Sequence, residues 1–519
     1  MHPNASERTR TAHLRTRPAA RESEPQNQSR RPESSTPVMT RNLTSGPPTR
    51  LIVLFTLPLL VGTLFQQLYA FTDAAVVGRM IGVDALAAVG ACGSLQFLLI
   101  GFTWGASGGL AIPTARHFGA GDMPAMRRSV AAGALISVAV AAVVSVVGLV
   151  YGPALLRLLH TPPELMADAS TFLQVTFLGA SATVAFNFLA ATIRALGDSR
   201  TPLVFLVISC VLNAGLVALF IGVLHLGVGG AALATVLAQL VSVGLCLALV
   251  ARRMPELHLR REDFRLTRAE VGEPAKLGIT MGFQMSVIAV GSLMLQYGTN
   301  GLGADAVAAF TSAARIDQLA AAPLNSFGLA MATYVAQNRG ARQWRRIRVG
   351  TFRISLVAMG VAVVLGLVNI TLGEPITRLF VGDGEEQVVA WSHQYLVVQG
   401  SLYVILALVF VVRNAIQGLG ATGVPTIAGF LELAMRGTAG LVLIDHLGFL
   451  GVSLAAPLAW VGALVPLSIA WFVRRRHLIE AERLEAEKAE RLEAGTAEAH
   501  ATPPENAADE EHPLAYATA

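Results

Sequence analysis

The chain contains about twelve apolar stretches, each long enough to cross a lipid bilayer as a helix. A crossing helix needs about 20 apolar residues. Backbone polar groups in lipid must be bonded within helices or closed barrels, and runs such as ISVAVAAVVSVVGLVYG lack the alternation of barrel strands. We therefore predict an all-α, polytopic membrane protein. The predicted spans are 51–78, 85–113, 129–150, 168–192, 202–224, 229–251, 276–298, 305–335, 350–372, 389–412, 424–444 and 450–473.

The distribution of charge supports this fold class and predicts the topology. Charged residues make up 14% of the chain, whereas soluble domains carry about 25%. Arginines crowd into alternate loops, as in RRMPELHLRREDFRLTR. Because arginine-rich loops stay in the cytoplasm, both termini are predicted to be cytoplasmic. The net charge of +5 is thus explained by topology in a lipid bilayer, and no nucleic-acid partner is predicted.

The two halves of the sequence resemble each other at a nearly constant offset. IGVDALAAV (81–89) matches LGADAVAAF (302–310) after 221 positions, and RALGDSRTP (194–202) matches QGLGATGVP (417–425) after 223. Six spans per half is an even number, so both halves insert with the same orientation. In transporters built from such repeats, substrate sites lie near the bilayer midplane between the halves.

These patterns divide the chain into five parts. The N-terminal tail is rich in Arg, Ser and Pro and is predicted to be disordered. The parts are a cytoplasmic N-terminal tail (1–50), an N-terminal six-helix lobe (51–251), a cytoplasmic linker (252–275), a C-terminal six-helix lobe (276–473) and a charged cytoplasmic tail (474–519).

Several stretches resemble the multidrug and toxic compound extrusion (MATE) family. They include LPLLVGTLFQQLYAFTDAAVVGRMIGVDALAAVG in the first span, RALGDSRTP after the fourth, GVGGAALATVLAQ in the sixth and PLNSFGLAMATYVAQNRGA in the eighth. The resemblance covers about 51–473. It implies two pseudo-symmetric six-helix bundles around a V-shaped cleft, in a monomer of the plasma or inner membrane. It also implies export of amphipathic or cationic compounds, including drugs, by alternating access in exchange for H+ or Na+.

Asp73 is the main candidate for binding the coupling cation. A carboxylate inside an apolar span is costly and usually faces a cavity. Gln66 and Tyr69 precede Asp73 by seven and four positions, so all three share one helix face and are candidates to line the cleft. A carboxylate held by a neighbouring helix for structural reasons is the alternative. The resemblance assigns Asp73 to cation coupling and completes its site with Asn213 and Thr235.

The neighbourhood of Asn213 departs from the family pattern. Val217 stands four residues later, where the family often has Asp or Asn. The departure removes one oxygen ligand, and hard cations such as Na+ are held by oxygen. It therefore favours H+ over Na+ without deciding between them. Simple interhelical hydrogen bonds are the alternative role for Asn213 and Thr235.

The C-terminal half has no carboxylate at the position equivalent to Asp73, which is Met294. Other polar groups could face its side of the cleft, and Asp317 could instead pair across helices. These cleft candidates are Gln284, Gln296, Tyr297 and Asp317.

Three further residues are predicted to have structural roles. Glu432 and Arg436 lie four residues apart in the eleventh span, in the order that favours a helical ion pair. We interpret them as a brace that makes both charges tolerable in lipid. Pro58 is predicted to bend the first helix, because proline removes a backbone donor and crowds the preceding turn.

Other function classes lack their motifs in this sequence. There is no GxxxxGK[ST] phosphate-binding loop, so energy is expected from an ion gradient and no cofactor is predicted. The three cysteines have no metal-ligand spacing, and no metal site is predicted. A flippase for lipid-linked precursors is the alternative function, and it requires several cations along the cleft. A membrane-embedded transferase requires paired acidic or histidine motifs, so no enzymatic activity is predicted.

Overall fold

The computed structural model describes residues 42–159, 161–381 and 385–501. Helices joined by short turns account for these ranges, and no strand occurs within them, which confirms the all-α fold. The α-helices are α1 (Pro48–Met80), α2 (Val83–Gly119), α3 (Met123–Leu158), α4 (Met166–Leu178), α5 (Ala180–Ala195), α6 (Arg200–Val217), α7 (Gly227–Arg253), α8 (Arg268–Asn300), α9 (Ala304–Gly340), α10 (Trp344–Val381), α11 (Glu386–Gly418), α12 (Gly423–Thr438), α13 (Ile444–Leu447) and α14 (Phe449–Ala501).

The helices group into about twelve membrane crossings, as predicted. Ten apolar helical segments in the described ranges are long enough to span a bilayer, and α4 with α5 makes an eleventh, bent by 47°. The remaining crossing consists of α12, a π-helical segment (Ala439–Leu443) and α13. This crossing is divided into shorter helical segments and carries three charged residues, Glu432, Arg436 and Asp445.

Most helices are longer than the predicted spans because polar caps extend them beyond the apolar core. Asp122 accepts the backbone N–H of Ala125 (3.0 Å) at the start of α3, and Thr267 and Glu270 form a reciprocal capping box at the start of α8. At the other end of the chain, α14 continues as one helix to Ala501. Its extension packs against α10, where Glu482 pairs with Arg348.

The backbone repeats at the same offset as the sequence. Gly82 and Gly303, 221 positions apart, precede α2 and α9 with positive φ angles of 134° and 98°. Such angles strain residues that carry a Cβ atom, which explains glycine at both positions. π-Helical segments at Ala218–Val223 and Ala439–Leu443 occupy equivalent places in the two halves. The repeat is therefore structural and does not arise from composition alone.

The two halves meet through a reciprocal contact between the ends of α2 and α9. A Cβ atom on Gly119 would lie 2.0 Å from the carbonyl oxygen of Gln337, and one on Gly340 would lie 1.8 Å from that of Arg116. Arg116 and Gln337 are related by the 221-residue offset, as are Gly119 and Gly340. Glycine permits this backbone approach, as small residues do throughout membrane bundles. The contact is therefore consistent with pseudo-two-fold symmetry between the two lobes, which are α1–α7 and α8–α14.

Polar contacts between the lobes lie beside this contact between α2 and α9, at one end of the bundle. We call it the basic end, because arginines lie in or beside its loops, which are 120–122, 196–199, 254–267 and 341–343. Arg116 of α2 donates two hydrogen bonds to the Glu273 carboxylate of α8, at 2.5 and 2.8 Å. The Gln337 side chain donates to the carbonyl oxygen of Ala195 at 2.7 Å. These bonds close the lobes against each other at the basic end.

A short segment before α1 also joins the lobes at the basic end. Leu43 is 1% exposed, and its N–H donates to the Gln337 side chain at 2.9 Å. Its carbonyl oxygen accepts bonds from Asn338 (3.2 Å) and Arg346 (3.1 Å). The prediction of a disordered tail over 1–50 is therefore wrong for 42–50, because sequence polarity does not reveal these backbone partners. The rest of that tail, and residues 502–519 of the C-terminal tail, lie outside the described residues.

Candidate functional site

A cleft with two cavities lies between the helices of the lobes. The first cavity has about 550 Å³ of empty space, part of it open to solvent, and is lined by α1, α2, α5, α6 and α9. Gln66 and Pro58 of α1 are among its lining residues. The second has about 390 Å³ and lies between α2, α5, α8, α9 and α11.

One hydroxyl organises a polar cluster in the N-terminal lobe. Thr235 of α7 accepts hydrogen bonds from the Tyr69 hydroxyl of α1 (2.9 Å) and the Asn213 amide of α6 (3.0 Å). It donates in turn to the carbonyl oxygen of Ala231 (3.2 Å). The structure therefore brings together three of the predicted site residues from three helices. The interhelical hydrogen bonds considered for Asn213 and Thr235 are present.

Asp73 lies one helical turn beyond Tyr69 on α1, in the half of the lobe away from the basic end. Its Oδ1 atom is buried, and none of the described residues donates a hydrogen bond to it. Buried polar atoms without a partner are rare in proteins, and each such atom calls for an explanation. Within the described ranges, no neighbouring helix holds this oxygen through a hydrogen bond, which argues against the purely structural role.

The C-terminal lobe contains a carboxylate network of its own. Asp317 of α9 accepts a hydrogen bond from the Tyr403 hydroxyl of α11 (2.7 Å). Tyr403 accepts one from the Asn369 amide of α10 (2.8 Å). Asp317 thus pairs across helices, which was one of its two predicted roles. Sequence reasoning missed Tyr403 and Asn369, although polar groups inside apolar spans are the signal that could have identified them.

Asp317 also lies beside a contact between the lobes. The neighbouring residue Gln318 accepts a hydrogen bond from the Gln67 side chain of α1 at 3.1 Å. This bond joins the helix that carries Asp73 to the helix that carries Asp317. The two carboxylates therefore belong to helices in direct contact across the lobe boundary.

The other predicted cleft residues of the C-terminal lobe lie elsewhere. Gln284 is buried; its amide donates to the carbonyl oxygen of Pro425 (2.9 Å) and accepts from Gln417 (2.8 Å), so it is occupied by packing contacts. Gln296 donates to Asn300 of its own helix at 2.9 Å. Tyr297 is 75% exposed. The structure brings none of these three side chains to Asp317.

The prediction that Glu432 pairs with Arg436 is wrong. Glu432 forms its ion pair with Arg413 of α11, and both side chains are less than a tenth exposed. Arg436 reaches across to α8, where it makes a long contact (3.4 Å) with the Ser292 hydroxyl. Glu432 pairs with Arg413 instead of Arg436 because Arg413 is buried directly against it. This is a tertiary contact, which residue spacing along one helix cannot reveal.

Comparison with known proteins identifies the family. The family model MatE matches residues 58–219 and 281–436, once in each half. A probable multidrug resistance protein YpnP of Bacillus subtilis is 29% identical over 386 residues, covering 73% of this chain and 84% of the relative. A FAD transporter of Shewanella oneidensis is 23% identical over 394 residues, covering 72% and 83%.

Solved structures share the fold. The structure described as MATE in the bent conformation has a TM-score of 0.78 at 22% identity, covering 87% of this chain and 99% of that one. An outward-facing multidrug resistance MATE transporter has a TM-score of 0.77 at 22% identity, covering 87% and 100%. The expected V-shaped fold is thereby confirmed. With its two matching halves, about twelve crossings and inter-lobe cleft, the chain belongs to the MATE family of multidrug efflux transporters.

Proposed function

We propose that the protein is an antiporter that exports amphipathic or cationic small organic compounds in exchange for H+ or Na+. The observation that carries the proposal is the buried Oδ1 atom of Asp73 inside an apolar span, for which the described residues supply no hydrogen-bond donor. An ionised group in such a place is expensive unless a cation or a partner compensates it. A cation that binds and leaves as the lobes change their arrangement supplies that compensation and couples its gradient to transport.

The Thr235 cluster supports H+ more than Na+ as the coupling ion. The Thr235 hydroxyl already accepts two hydrogen bonds and donates one. A hydroxyl offers one donor and two acceptor positions, so no lone pair remains for a metal ion. Its role in this proposal is to position Tyr69 beside Asp73. Proton exchange at Asp73 needs no further oxygen ligands.

The proposed orientation follows from charge. The basic end faces the cytoplasm, as arginine-rich loops do, with both termini on that side of the cell membrane. The contacts between Arg116 and Glu273 then close the cytoplasmic side of the cleft. Asp73 and Asp317 lie in the halves of α1 and α9 nearer the outer side, where an entering cation reaches them first.

Efflux of ethidium from drug-sensitive cells tests this function. Cells that produce the protein should accumulate less ethidium than cells with the empty vector, and a protonophore that collapses the gradient should remove the difference. Equal accumulation of ethidium and of a wider panel of cationic dyes in both strains would overturn multidrug export. Immunodetection in the membrane fraction controls for expression.

A further inference from the structure

Arg194 is a charged residue of the cleft that takes no part in the Asp73, Thr235 or Asp317 contacts. It lies in the last turn of α5, near the basic end, and it is half-buried. It lines both cavities of the cleft. The same guanidinium is therefore positioned where the two cavities adjoin, on the side of the cleft away from Asp73 and Asp317.

The guanidinium of Arg194 has no compensating partner in the part of the chain that the structure describes. Among the described residues, no hydrogen bond and no carboxylate acts on this guanidinium. The nearest acid in sequence, Asp198, is occupied: it accepts the backbone N–H groups of Arg200 and Thr201 (2.9 and 3.0 Å) and the Thr201 hydroxyl (2.5 Å).

Three other arginines of the bundle that are buried or half-buried have partners that compensate their charge. Arg116 binds Glu273, Arg413 binds Glu432 and Arg339 donates to the carbonyl oxygen of Leu419. A buried charge costs several kcal/mol unless an opposite charge or hydrogen bonds compensate it. Both cavities are otherwise lined by apolar and neutral polar residues, with no Asp or Glu among their described lining residues.

We propose that Arg194 binds an anionic group, a carboxylate or phosphate, of the molecule that the cleft transports. The inference rests on the proposed export function and refines its substrate class. Guanidinium is suited to this role because its fork of N–H donors matches planar carboxylate and phosphate oxygens. With an anion site near the basic end and carboxylates toward the other end, the cleft is electrostatically bipolar. It therefore prefers amphipathic zwitterions to simple cations of the same shape.

Two dyes that differ by one group test the proposal. Rhodamine 110 carries a free carboxylate, and rhodamine 123 is its methyl ester. Binding of each dye to the purified full-length protein in detergent is measured by fluorescence anisotropy, and the ratio of the two dissociation constants is compared among variants. The wild type should bind the acid more tightly than the ester. Arg194→Gln should reduce this preference by about tenfold, because charged hydrogen bonds are worth that or more.

Two further variants keep the test decisive. Arg194→Lys retains the charge without the fork, so it should keep part of the preference; this variant carries the test if the Gln variant does not fold. Arg200→Gln removes the same charge from an exposed position six residues away and should leave the ratio unchanged. An unchanged ratio in Arg194→Gln, with wild-type elution and melting, would overturn the proposal.

A transport measurement shows whether Arg194 binds the transported molecule or a lipid headgroup. It also tests the proposed export function separately from the role of Arg194. In proteoliposomes of phosphatidylcholine, the acid should be exported in preference to the ester by the wild type. If the acid binds through Arg194 but is not preferred in export, the site holds a lipid headgroup and the cargo proposal is overturned. Failure to export ethidium, a cation without an acidic group, would count against the proposed function, whereas the binding ratio tests Arg194 alone.

Discussion

Asp73→Asn is expected to abolish gradient-driven export, lowering the initial efflux rate by about tenfold or more. The amide has nearly the shape of the carboxylate but can neither exchange a proton nor present a negative charge to Na+. Loss of even 1.4 kcal/mol of coupling free energy corresponds to a factor of ten. Efflux of preloaded ethidium from energised cells, normalised to protein in the membrane fraction, measures this rate.

Two matched variants decide whether the loss belongs to the carboxylate of Asp73. Asp73→Glu retains the ionisable group and should recover part of the efflux. Asp84→Asn removes an exposed carboxylate at the start of α2 and should export like the wild type. Full activity in Asp73→Asn would show that this residue has no part in the mechanism. Equal losses in Asp73→Asn and Asp84→Asn would show that the effect comes from the net charge of the protein and is not specific to Asp73.

Glu432→Gln is expected to destabilise the C-terminal lobe by about 3–5 kcal/mol, the usual cost of removing one partner from a buried ion pair. Glu432 and Arg413 are both buried between α11 and α12. Without the carboxylate, the guanidinium remains in the bundle with an uncompensated charge. Thermal unfolding of the purified protein in detergent, followed by loss of the monodisperse elution peak, measures the effect.

The double variant Arg413→Met/Glu432→Leu should recover most of the lost stability, because it removes both charges and fills the site with apolar side chains. Glu374→Gln is the surface control: Glu374 pairs with Arg378 at 3.0 Å, but the pair is solvent-exposed and should contribute little. If Glu432→Gln melted like the wild type, the pair would have no structural importance.

The fold was predictable because a membrane restricts it to few solutions. The length of each apolar stretch predicts a membrane crossing, and the placement of arginines predicts its orientation. The repeat at an offset of 221 residues predicts that the second half has the same fold as the first. The Asp73 neighbourhood was predictable in part, because Tyr69 shares its helix face by periodicity. The hydrogen bonds of Thr235 depend on how three helices pack, and local sequence contains no such information.

The misses have the same physical origin. Glu432 was expected to pair within its own helix, but packing against α11 offered Arg413, a closer and fully buried partner. Leu43 lies in a polar tail, yet its backbone is held by three side chains of α9 and α10. Arg194 appeared in sequence as one basic loop residue among many. Only the structure shows which arginines are paired and which one lines the cavities.

The central claim is that a cation exchanges at Asp73 as the cleft changes sides. Substrate-driven cation flux in proteoliposomes tests it most directly, with a pH-sensitive and a Na+-sensitive dye enclosed in separate preparations. Adding substrate on one side should drive a counterflow of one of the two ions in the wild type, with H+ favoured, and none in Asp73→Asn. Substrate movement without any H+ or Na+ flux, or with the same flux in both proteins, would contradict the account.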